Sequence, residues 1–174
     1  MIPFAEYSDR IQEHLQRKYG IRVVTTDVPD PLTGDLDGAE IEIDYAVTLE
    51  ERLFLLLHLF GHTVQWNTNP LSFETGSPRR PPVDPSLLPA LMDYEQEAAA
   101  YAVGLLRELD INGVDQWLSD YTACDRAYLR HYYLTGEKKE FRSFWCDNAP
   151  NVPPRPAPAF TPTRRTFRHD GVVI

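Results

Sequence analysis

Apolar residues recur over the first twenty positions at helical spacing. Phe4, Ile11 and Leu15 share one face between about Pro3 and Tyr19, and Gly20 supplies a stop. The period then shortens. Ile21 to Thr26 is mostly β-branched and reads as a strand, and Ala39 to Asp44 alternates Ile41 and Ile43 with Glu40, Glu42 and Asp44, a strand with one wet face. The stretch between them, Asp27 to Gly38, carries two prolines and two glycines and predicts a loop. These pieces predict a small antiparallel sheet packed on a mainly helical core.

The longest apolar run follows, from Thr48 to Asn67. Thr48 with Glu51 forms the pattern of a capping box, and Leu53, Phe54, Leu55, Leu56, Leu57, Leu59 and Phe60 leave no polar stripe. This predicts a central helix buried on nearly every side. His58 and His62 stand four apart on it, one turn from each other on the same face. Buried imidazoles need partners, and a shared metal ion would satisfy both.

Asn67 to Asp84 is rich in Pro, Ser, Thr and Gly and predicts an exposed loop. Asp84 and Pro85 resemble an N-cap and first helical residue, and the helix they open runs through Leu91, Met92, Tyr94, Ala98, Tyr101, Ala102 and Leu105 to about Leu109. Asp93 and Glu97 share a face of it, with Tyr101 a turn further on. Val114 to about Leu134 predicts another helix, ended by Thr135 and Gly136, and Phe141 to Trp145 a further turn. From Asp147 the chain is Pro-rich and favours polyproline II, so it forms either a disordered end or an arm laid over the domain. The division expected is therefore one domain over 1–146 and a tail over 147–174.

Composition narrows the function. The formal charge of −9 speaks against a nucleic-acid partner, because phosphate binding needs a basic face. Nine acids lie between Arg22 and Arg52 with no Lys or Arg among them, whereas the tail holds Arg155, Arg164, Arg165 and Arg168. The two cysteines, Cys124 and Cys146, make no C-x-x-C pair. Neither a signal-peptide core nor a membrane-spanning run is present, so a cytoplasmic protein without a membrane partner is expected.

The helix pair resembles a known arrangement. His58-Leu59-Phe60-Gly61-His62 is similar to the zincin motif H-E-x-x-H, with leucine where the glutamate stands, and the following helix carries Glu95-Gln96-Glu97-Ala98-Ala99-Ala100-Tyr101-Ala102. Together, over about Gly38 to Leu106, they resemble the ImmA/IrrE metallopeptidase family, in which H-E-x-G-H is followed by E-A-x-x-F-A. The resemblance implies a zincin-like α+β domain with zinc as cofactor and His58, His62 and Glu97 as its ligands. The residues alone do not single out Glu97 over Glu95 or Asp93. It also implies a protein or peptide partner, such as a transcriptional repressor.

The departure at Leu59 matters for chemistry. In a zincin the motif glutamate takes a proton from metal-bound water, and losing such a base removes about 10²- to 10⁴-fold of the rate. Three readings stay open. The chain is a zinc-binding pseudoprotease that acts by binding a peptide or protein. Alternatively it is an active peptidase whose base is Asp93 or Glu95, with Tyr94 or Tyr101 stabilising an oxyanion. In the third reading it is a metal-free interaction domain whose histidines serve the core.

Overall fold

A computed structural model of the protein describes residues 1–30, 32–165 and 171–172. Helix α1, Phe4–His14, widens into a π-helical turn over Leu15–Tyr19 and stops at Gly20, whose φ of 69° lies in the left-handed region that glycine enters without strain. Strands β1, Arg22–Thr26, and β3, Glu40–Asp44, follow the expected pattern. A short strand, β2, Gly34–Leu36, occupies part of the stretch predicted as loop.

That extra strand changes the sheet. Its order is β1-β3-β2-β4, with β4 at Gly171–Val172, and β1 pairs with β3 in parallel while β2 pairs with both its neighbours antiparallel. The expected antiparallel sheet is thus a mixed one. The chain reverses once into β2 and again at Gly38, so the next strand runs in the direction of β1. Asp37 holds the second reversal by accepting from the backbone N–H groups of Ala39 and Glu40 at 2.9 and 2.8 Å. Ile41 and Ile43 are fully buried against the central helix, as their alternation predicts.

Helix α2, Leu49–Thr68, is that central helix. The capping box is formed: Thr48 Oγ1 accepts from Glu51 N at 3.2 Å, and the Glu51 carboxylate accepts from Thr48 N at 2.8 Å. Every residue from Leu53 to Trp66 is buried, because α1, the sheet and the helix over Leu88–Glu108 close around it. Beyond it a short helix, α3, Pro70–Thr75, replaces the first part of the predicted loop. Asn69 caps it by accepting from Leu71 N at 3.0 Å, Pro70 starts it, and Phe73 seals it against Trp66 at a centroid distance of 5.2 Å.

Helices α4, Leu88–Glu108, and α5, Asp115–Thr135, complete the core, and α4 is entered through a 3-10 turn at Pro85–Leu87 capped by Asp84. The contact between α2 and α4 is close at one point. A Cβ on Gly61 would lie 2.6 and 2.7 Å from the carbonyl carbon and Cα of Ala98, so only glycine lets the two backbones meet there. This crossing sets which residues of α4 face the histidines of α2.

Residues 147–165 run over the domain as an arm. Ala149 N donates to Asp120 at 2.8 Å, Val152 is buried with its N–H on Ser119 Oγ, and Arg155 N donates to Ala100 O at 2.9 Å. Phe160 then stacks on Tyr19, Thr163 N donates to Asn67 at 2.9 Å, and Arg164 lies 3.5 Å from Asp37. Residues 166–170 and 173–174 of the expected tail lie outside the described residues. Among the described residues no helix is long and apolar enough to cross a membrane.

Candidate metal site

His58 and His62 project from the buried face of α2 towards α4, where Glu95 meets them. All three are almost inaccessible, with exposures of 6, 4 and 6 %. His62 Nε2 lies 3.1 Å from His58 Nε2 and 3.1 Å from Glu95 Oε2, and the third side of the triangle is 3.7 Å. The group could hold a metal ion.

The triangle can be compared with a coordination sphere. A circle through points separated by 3.1, 3.1 and 3.7 Å has a radius of about 1.9 Å, so an ion about 2.05 Å from each atom would stand roughly 0.7 Å above their plane. A tetrahedral ion with bonds of about 2.05 Å sits at that height over three of its ligands. The spacing of the three donor atoms suits such an ion.

Proton placement points the same way. The Gln65 amide nitrogen donates to Tyr94 O at 2.9 Å and to Glu97 Oε2 at 2.7 Å, two groups that accept. Gln65 Oε1 therefore faces His62 Nδ1, 2.8 Å away, and can only accept from it. With Nδ1 committed to Gln65, His62 turns Nε2 to the other two donor atoms, where an ion would take the place of the hydrogen bond to Glu95. On the far side of His58, Nδ1 faces the carboxyl of Asp125 at 4.0 Å. At that distance there is no hydrogen bond, so His62 alone is held from behind, by an amide, as metal-ligating imidazoles usually are.

Electrostatics in the group follow from burial. Desolvation, and then His62 nearby, push the His58 pKa down to about 3 against the opposing pull of Glu95, so His58 is neutral at ordinary pH. For Glu95, burial raises the pKa, but the charge and hydrogen bond of His62, with His58 and Arg126, outweigh it and the net shift is downward. Asp125 is raised well above the usual carboxylate range by burial and by Glu95, and its Oδ1 has no hydrogen-bond partner. Aromatic rings wall the site: Phe54 stacks on His58 at 5.3 Å and Tyr94 on His62 at 4.4 Å.

The third member of the cluster is Glu95, not the Glu97 that the resemblance implied. Glu97 points instead to Gln65 and to Arg155 of the arm. The reason is helical phase. Glu95 shares a stripe with the buried Ala98 and Ala102, and Ala98 meets Gly61 of α2, whereas Glu97 lies about 200° round the helix, on its half-buried flank. Asp93 is exposed, beside Arg126 and Arg130 at a surface depression. Tyr101 is buried under the Arg155 guanidinium, 5.1 Å from its ring centre, and burial followed by Glu97 raises its pKa. Neither residue joins the triangle, and Glu95, also considered as a base, is one of its corners.

Leu59 is fully buried and reaches the sheet, its Cδ1 2.9 Å from where a Cβ on Gly34 would stand. Two residues of the site escaped the sequence reading. Gln65 had a signal, a polar residue three positions after His62 inside an apolar run. Asp125 had a weaker one, an acid among Tyr121, Cys124, Tyr128 and Leu129 on the packing face of α5. No protein-family model, no curated protein and no solved structure matches the chain.

Proposed function

We propose that the protein binds zinc through His58, His62 and Glu95 and acts as a non-catalytic, peptide- or protein-binding relative of the ImmA/IrrE-like zincins. The observation that carries the metal reading is the triangle of Nε2, Nε2 and Oε2 atoms, whose size suits a tetrahedral ion. Two imidazoles and one carboxylate are a donor set that zinc favours, and three protein ligands leave one position on such an ion. Zinc there would act as a Lewis acid on whatever occupies that position. The chain's own residues hold the ion, exclude water with Phe54 and Tyr94, and fix the ring of His62 from behind.

The non-catalytic part rests on what surrounds the triangle. Leu59 offers no proton acceptor, Asp93 is exposed to solvent, and Tyr101 is engaged with Arg155. The reading therefore assigns the scaffold to recognition, with the arm and the 67–84 segment as the surfaces for a protein or peptide partner in the cytoplasm. Metal content of the purified protein by plasma mass spectrometry, beside His62→Ala and Glu95→Ala, tests it. About one zinc per chain, lost in both variants, is the expected result. No metal after zinc has been offered to a chelator-free preparation would overturn the metal reading, and chelator-sensitive peptide cleavage by the unmodified protein would overturn the non-catalytic one.

A further inference from the structure

We propose that Gln65 and Glu97 are positioning residues for the metal, acting through His62: they keep the imidazole proton on Nδ1 and so leave Nε2 bare for the ion. The proposal rests on the zinc reading and deepens it. An imidazole offers a metal whichever nitrogen carries no proton, and in a neutral ring the choice is set by the partner of the other nitrogen. Here that partner is the Gln65 carbonyl oxygen, 2.8 Å from Nδ1.

An amide alone would not decide the matter, because turned over it would present its NH2 to Nδ1 and force the opposite tautomer. Gln65 is prevented from turning. Its nitrogen lies between the Tyr94 carbonyl at 2.9 Å and the Glu97 carboxylate at 2.7 Å, and reversing it would set an oxygen against two acceptors with the whole side chain buried. Glu97 is held in turn by Arg155, which stands over Tyr101 and belongs to the arm. A relay therefore runs from the arm through Glu97 and Gln65 to His62. Its glutamate lies two residues from the one that completes the triangle, so α4 supplies both a ligand and the brace for another ligand.

The test pairs metal affinity with a direct view of the tautomer. In the zinc-free wild-type protein, NMR of the histidine ring nitrogens should show the His62 proton on Nδ1, a result that needs no variant to fold. Gln65→Met keeps the length of the side chain and loses the acceptor. It should lower zinc affinity by about 10- to 100-fold, measured by competition with a chromogenic chelator, and give a mixture of tautomers. A wild-type His62 without a proton on Nδ1, or zinc binding by Gln65→Met within about twofold of wild type, would overturn the proposal. If the wild type takes up no zinc, the metal reading fails, and the nitrogen shifts still decide whether Gln65 sets the tautomer.

Discussion

Replacing Gly61 by alanine is expected to part α2 from α4 and to weaken both the fold and the proposed metal site by related amounts. The new Cβ would stand 2.6 and 2.7 Å from the Ala98 carbonyl carbon and Cα, against the 3.4 Å at which ordinary contact begins. The obstacle is backbone, so the helices must separate by about 1 Å. Overpacking costs about 1–3 kcal/mol, here towards the upper end, and the better helix propensity of alanine returns about 1 kcal/mol. The net loss is about 2 kcal/mol, or roughly 4–8 °C of Tm for a chain of this size. Moving Glu95 back by about 1 Å stretches two sides of the triangle, and an ion equidistant from the three atoms is then about 2.4 Å from each, too long for zinc. Binding must pull the helices back against the clash, so affinity should fall about 5- to 150-fold. Urea and thermal unfolding of the zinc-free protein measure the first effect, and chelator competition the second. A Gly61→Ala protein as stable as wild type and binding zinc as tightly would refute the reasoning.

Further outcomes follow from the same geometry. Glu95→Gln is expected to abolish stable zinc uptake, whereas Glu97→Ala should cost only about tenfold, through Gln65; equal losses in chelator competition would contradict the assignment of the third ligand. Leu59→Glu, which restores the zincin motif, places a carboxylate against β2 and should destabilise by about 3–5 kcal/mol without creating a peptidase. A folded Leu59→Glu protein with chelator-sensitive cleavage would refute that. In zinc-free protein, His58 refuses below pH about 6.5 a proton that the unfolded chain accepts, so its contribution to stability falls as pH drops towards 3, by about 1.4 kcal/mol per unit. Asp125 has the opposite sign, because the fold keeps a proton that the unfolded chain releases above about 3.8. Asp125→Asn should therefore expose the His58 slope, losing about 2 kcal/mol between pH 6.5 and 5 in urea unfolding while wild type changes less.

Much of α2 was determined by the sequence alone, because it depends on local rules. The capping box at Thr48, the unbroken apolar run and the four-residue spacing of His58 and His62 fix a buried helix with two imidazoles on one face, whatever packs against it. The alternation of Ile41 and Ile43 fixed the inward face of β3 in the same way. Asn69 and Pro70 carried an equally local signal for α3, which a composition rich in turn residues concealed. Strand direction was not local: β1 and β3 run parallel because β2 lies between them in the chain and reverses it twice. The third member of the cluster was not local either. Glu95 and Glu97 occupy the same helix, and only the depth and phase of the Gly61–Ala98 crossing decide which of them reaches His62 and which reaches Gln65. Periodicity tells a helix which face to bury, but the partner brought to that face is chosen by packing between residues far apart in the chain.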